Sequence, residues 1–147
     1  MSTLQPPRYL KTMNKVMMAI QKLGIPTGPA MVLTVPGRRS GQPRSTPMTP
    51  FTFQGHLYVV AGYPGSDWLK NARVAGEGTL SRGRKSRRVN IIELSPDEAR
   101  PVLREFPTQV PVGVGFAKRS GLVVDGTADE FESLAGQLTV FRFDPIG

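Results

Sequence analysis

After Pro6 and Pro7, apolar residues recur at Leu10, Met13, Val16, Met17, Ile20 and Leu23, with Lys11, Lys15 and Lys22 between them. That spacing predicts an amphipathic helix over about residues 8–24, ending near Gly24. From residue 30 the pattern changes. A β-prone run over 30–35 meets Pro36-Gly37, a polar loop follows, and a second extended stretch runs from Gln42-Pro43 to Phe53. Gln54-Gly55 predicts a tight turn into a strand over 56–61. Gly62-Tyr63-Pro64-Gly65 then precedes Asp67, the expected N-cap of a short helix that carries Trp68 and Asn71 and closes at Gly76 and Gly78. Segments 79–81 and 86–94 read as a hairpin around Gly83-Arg84, and Ser95 caps a helix containing Glu98, Val102 and Leu103. Residues 107–126, rich in Pro, Gly and Val and without a clear period, read as a loop holding at most a broken strand, long enough for a lid. A final strand is expected over 137–143.

The 147 residues suit one domain spanning 1–147, and 16 Gly with 14 Pro favour a mainly β fold with a few helices. With no cysteine, disulfides, thiolate metal sites and thiol nucleophiles are excluded. His56 is the only histidine and has neither a second histidine nor clustered carboxylates beside it, so no metal site and no Ser-His-acid set is expected. No apolar run approaches the roughly 20 residues that cross a bilayer, and no signal-peptide core is evident, so a cytoplasmic or membrane-peripheral protein is expected.

The net charge of +8 predicts attraction to polyanions without choosing among them. Two basic clusters carry it. The loop Gly37-Arg38-Arg39-Ser40-Gly41-Gln42-Pro43-Arg44 sets three guanidiniums and several flexible amides between two strands, a pattern suited to gripping phosphate or carboxylate oxygens; a solvated basic turn is the other reading. Arg82, Arg84, Lys85, Arg87 and Arg88 fall across the second hairpin, where a solvated face competes with an anionic-lipid contact or a further hold on an acidic ligand. No aromatic residues interleave them for base stacking, so no specific nucleic-acid partner is expected. The first helix either packs on the domain or lies on anionic membrane.

The basic loop, the Ser45-Thr46-Pro47-Met48 that follows it and the later Trp68-Leu69-Lys70-Asn71 resemble the deazaflavin-dependent nitroreductases of actinobacteria, over about residues 30–95. The resemblance implies a split β-barrel related to the flavin-mononucleotide-binding barrels, holding reduced coenzyme F-420. It assigns the phosphate and acidic tail to Gly37, Arg38, Arg39, Ser40, Gly41 and Arg44, and the length of the coenzyme to Thr46, Pro47 and Met48. Ala61, Gly62 and Tyr63 would offer backbone groups near the ring, and Trp68 with Asn71 would close the pocket. Thr46 stands where family members often have Asn, and the tyrosines that follow the second helix in the best-known members are absent here. That region instead supplies Phe106 and Phe116, which suit a hydrophobic acceptor such as a quinone, an enone or a nitro compound. The expected chemistry is hydride transfer, with no catalytic acid assigned. The alternatives are a noncatalytic lipid or small-molecule carrier on the same barrel and a flavin mononucleotide (FMN) enzyme, and a monomer is the default state.

Overall fold

The computed structural model describes residues 30–61 and 65–146. The helix expected over 8–24, and with it any membrane contact through that helix, lies outside these residues. The described chain forms β1 (Met31–Pro36), β2 (Pro43–Met48), β3 (Phe51–Phe53), β4 (His56–Ala61), α1 (Asp67–Ala75), β5 (Glu77–Arg82), β6 (Lys85–Glu93), α2 (Pro96–Gln109), α3 (Pro111–Arg119), α4 (Ala128–Ser133) and β7 (Thr139–Pro145). The strands make one antiparallel sheet in the order β2-β1-β5-β6-β7-β4-β3. Its two edges, β2 and β3, are consecutive in sequence and joined only by Thr49-Pro50. The sheet must therefore curl until its edges approach each other, which gives a half-barrel. Pro43 and Pro47 lack the N–H that a neighbouring strand would need, and both sit on edge strand β2.

Side-chain alternation divides the core in two. On the inner face Leu33, Val35, Val59, Leu80, Val89, Ile91, Phe141 and Phe143 cluster with Leu69 and Ala72 of α1. On the outer face Tyr58 and Val140 cluster with Ala99, Val102, Leu103 and Phe106 of α2 and with Phe131 of α4. Buried residues at 99, 102, 103 and 106 give α2 its apolar stripe. Ser95 caps that helix as expected, through a capping box with Glu98.

The loop expected over 107–126 is instead the end of α2 followed by α3. Pro101 and Pro107 remove helical donors, but burial of the α2 stripe holds the helix in spite of them. Pro111 stands at the start of α3, where its missing N–H has no helical partner to lose. Gly78 also departs from expectation. It does not close α1, which ends at Gly76, but lies buried within β5. A Cβ there would fall 2.8 Å from Val35 Cγ1 and 2.9 Å from the Thr34 carbonyl oxygen, so the close approach of β5 to β1 requires glycine.

The turn after α3 is organised by one carboxylate. Glu130 accepts the backbone N–H groups of Val124 at 2.7 Å, Asp125 at 2.9 Å, Gly126 at 2.7 Å and Thr127 at 3.3 Å. These bonds, the one from Val124 foremost, hold its pKa below the ordinary 4.5.

Two predictions follow from this packing. Gly78→Ala should lower stability by roughly 1–3 kcal/mol, read from the urea midpoint, because backbone cannot yield as a side-chain tip can. Glu130 is more acidic folded than unfolded, so its stabilisation is complete above pH 4.5 and fades as pH falls through its lower folded value. Glu130→Gln should therefore flatten the acid limb of a stability-against-pH curve and speed amide exchange at 124–127, whereas an unchanged acid limb would count against this account.

Candidate functional site

The basic loop connects β1 to β2 as a closed hairpin. The Gly37 N–H donates to the Gln42 carbonyl at 2.8 Å and the Gly41 N–H donates back to the Gly37 carbonyl at 2.9 Å. Gly41 has φ 72°, a left-handed conformation that glycine adopts without strain. The loop is then fastened to α1. The Arg38 N–H donates to Asn71 Oδ1 at 3.1 Å, the guanidinium Nη1 donates to the same oxygen at 2.8 Å, and Nη2 reaches Asp67 Oδ1 at 3.3 Å. Asn71, 5% exposed, is the only buried polar residue among the described ones.

Asp67 is not the N-cap the sequence suggested. Ser66 holds that position and Asp67 is the first helical residue, where its charge suits the positive end of the helix dipole while its carboxylate meets Arg38. Trp68 follows and packs edge-to-face on Phe141 of the inner core, ring centroids 5.9 Å apart. One helical turn thus sets Trp68 on the sheet and Asn71 under the loop.

Between loop, β2 and α1 lies a cleft of about 320 Å³. Of the residues that the resemblance assigns to a coenzyme, Gly37, Arg38, Arg39, Ser40, Arg44, Thr46, Trp68 and Asn71 line it together. Strand register extends the wall. Arg44 pairs with Val35, Thr46 with Leu33 and Met48 with Met31, so Arg44, Thr46 and Met48 share the inner face in a line running away from the loop. Pro47 pairs with Val32 on the opposite face, Gly41 stands exposed in the loop, and Ala61 is fully buried in the inner core. Gly62 and Tyr63 lie outside the described residues. Phe106 is a core residue against Phe51 and Phe131, and Phe116 sits on α3 beneath the Arg119 guanidinium; neither lines the cleft.

Two residues line the cleft that the resemblance did not assign to the coenzyme. Ser45 lines the cleft, and its hydroxyl pairs with Thr34 Oγ1 at 2.8 Å. Asp67 brings a carboxylate to the wall, and only the fold reveals its nearness to Arg38. Arg39 and Arg44 are exposed and have no hydrogen-bond or ion-pair partner among the described residues. With the buried amide of Asn71 they form a donor set suited to an anion, which fits the phosphorylated tail of a flavin or deazaflavin. The second basic cluster lies at the far end of the sheet. Arg88 is bound to Glu77 and Thr79, while Arg84, Lys85 and Arg87 are exposed.

Among the described residues no helix is long and apolar enough to cross a membrane, and no group of three acidic or histidine side chains could hold a metal. The curled sheet, the helices on its outer face and the basic hairpin define a split β-barrel like those of the flavin- and deazaflavin-binding proteins. Solved structures share the fold at low identity. An F420-H2-dependent reductase, FDR-A, is similar at TM-score 0.55 and 18% identity, over 79% of this chain and 94% of that one. A structure described as a domain-swapped dimer is similar at TM-score 0.57 and 18% identity, over 88% and 95%. A putative pyridoxamine 5'-phosphate oxidase from Listeria innocua is similar at TM-score 0.51 and 13% identity, over 90% and 93%. No curated protein matches the chain. The sequence model of the F420-H(2)-dependent quinone reductases matches residues 8–122, and the chain belongs to that family. It is a deazaflavin-dependent reductase.

Because Arg39 and Arg44 hold nothing within the described fold, Arg39→Ala and Arg44→Ala should each leave the unfolding free energy within about 0.5 kcal/mol of wild type. A larger loss in urea titrations would mean that one of them is structural.

Proposed function

We propose that this enzyme holds the reduced deazaflavin with its acidic tail at the basic loop and its ring toward the Met48 end of β2, and reduces a hydrophobic acceptor, a quinone first. The observation that carries this reading is the line Arg44, Thr46, Met48 on one face, which runs from cationic through polar to apolar over three alternate residues. A coenzyme with a charged tail and a flat aromatic ring has the same order of chemistry. Arg39 and Arg44 grip the tail, the loop amides approach it closely, and Trp68 forms the wall that excludes water beside it. When bound, the deazaflavin supplies the hydride. The protein supplies position and a dry apolar approach, to which Met31, Met48 and Leu57 contribute partly buried surface. A quinone, enone or nitro group fits such an approach because burial of apolar area drives its binding.

Titration with the deazaflavin coenzyme, followed by fluorescence of Trp68, the only tryptophan, tests the coenzyme site. Binding should saturate, weaken as salt is raised, and fall roughly tenfold or more in Arg39→Ala and Arg44→Ala. FMN should bind less tightly, having a single phosphate for the two free guanidiniums. Coenzyme-dependent reduction of a naphthoquinone then tests the acceptor. Tight FMN binding without deazaflavin binding would overturn the coenzyme assignment, and coenzyme oxidation by nitro compounds but not quinones would overturn the acceptor.

A further inference from the structure

The three arginines of the loop do not stand in the same chemical state. Two separate donors of Arg38, its backbone N–H and Nη1, converge on one atom of Asn71. An atom that accepts two hydrogen bonds must be the amide oxygen, so the orientation of this amide is fixed by its partners. The Asn71 nitrogen, carrying two donors on a residue 5% exposed, is then left without a partner among the described residues, and Asn71 is one of the residues that line the cleft. A buried donor pair is unfavourable unless an acceptor meets it, and a ligand oxygen in the cleft would be such an acceptor. The third contact of Arg38, to Asp67, places a carboxylate beside its guanidinium and offsets its charge. Its side chain is 22% exposed.

We propose that Arg38 is a positioning residue that braces the loop, and that the anion is held by the Asn71 amide nitrogen together with Arg39 and Arg44. This deepens the reading of the cleft as the site of the coenzyme's acidic tail and rests on it for the identity of that ligand. The division of labour follows from the partners. Arg38 spends three donors inside the protein, whereas Arg39 and Arg44 spend none on the described residues. Asn71 works in both directions at once, its oxygen ordering the loop and its nitrogen meeting the ligand. The ligand chemistry is a phosphate or polycarboxylate oxygen, because only an acceptor completes the amide.

Inorganic pyrophosphate serves as the probe, so that the test does not depend on the coenzyme. Its binding is read by Trp68 fluorescence at several salt concentrations, and order in the loop by amide exchange over residues 37–42 without ligand. Asn71→Asp keeps an oxygen for Arg38 but replaces the free donors with a second, charged oxygen. It should preserve loop protection yet weaken pyrophosphate binding roughly tenfold or more. Arg38→Ala should lose loop protection and weaken binding while the salt dependence keeps its wild-type slope. Arg39→Ala should leave the loop protected and flatten the slope, since it removes a charge that meets the ligand. Wild-type affinity in Asn71→Asp, a flattened slope in Arg38→Ala, or no pyrophosphate binding by the wild type would each overturn the proposal. A wild type that binds pyrophosphate with this variant pattern but not the deazaflavin coenzyme would sink the coenzyme reading and leave the brace standing.

Discussion

Val140 and Phe141 are neighbours in the chain, point to opposite faces of β7, and are both fully buried, at 1% and 0% exposure. Such a pair is possible only in a strand covered on both sides. Val140 faces the layer of α2 and α4, and Phe141 faces the closed interior of the curled sheet. β7 also lies between β6 and β4 in the sheet, although it comes last in sequence. The half-barrel is therefore completed by its C-terminal strand, and each face of the sheet takes part of its core from that strand. The two clusters share a strand whose register couples them.

The site hangs from the same residue. Phe141 gives Trp68 its seat, and the helix that carries Trp68 carries Asn71 one turn later. The other end of α1 is tied to the sheet where the Ile91 N–H donates to the Gly76 carbonyl at 2.8 Å. A basic loop on an edge hairpin would ordinarily be among the less stable parts of a fold. Here three hydrogen bonds from Arg38 connect it to a helix fixed at both ends. The chain of dependence runs from core aromatic to tryptophan to asparagine to loop, so the order of the basic cleft is inherited from packing well away from it.

Much of this was legible from residue pattern alone. Turn residues located the three hairpins, although the stretch expected as one strand up to Phe53 divides at Thr49-Pro50 into β2 and β3, and the last strand runs two residues past its expected end. Ser95 with Glu98 announced the start of α2. The failures share a cause. Pro101, Pro107 and Pro111 read as breakers over a stretch whose helices depend on burial of Val102, Leu103 and Phe106, which is a tertiary fact. Gly78 read as a helix end because its reason, the backbone of Thr34 beneath it, is 44 residues distant in sequence. At the site, residue types near in sequence were found together, but the partners of Arg38 could not be. Asp67 looked like a cap because local sequence offers a carboxylate before a helix only that role, and its tie to a guanidinium 29 residues earlier belongs to the fold.

The charge distribution gives the arrangement its sense. The chain has 19 basic and 11 acidic residues, so its surplus cannot be paired, and what the fold decides is where the surplus stands. Away from the cleft acids are matched: Arg73 to Glu93, Arg104 to Asp129 and Glu132, Arg142 to Asp144. Among the described residues of the cleft the one carboxylate is given to Arg38, and Arg39 and Arg44 are left without one. Exposed guanidiniums in water cost little while apart, but two of them held at the same cleft repel each other. An anion that bridged them would relieve that repulsion. On the proposed reading such a ligand would bind the folded state alone and so stabilise it. The proposed brace at Arg38 would serve that coupling, because a loop free to splay would carry Arg39 away from Arg44.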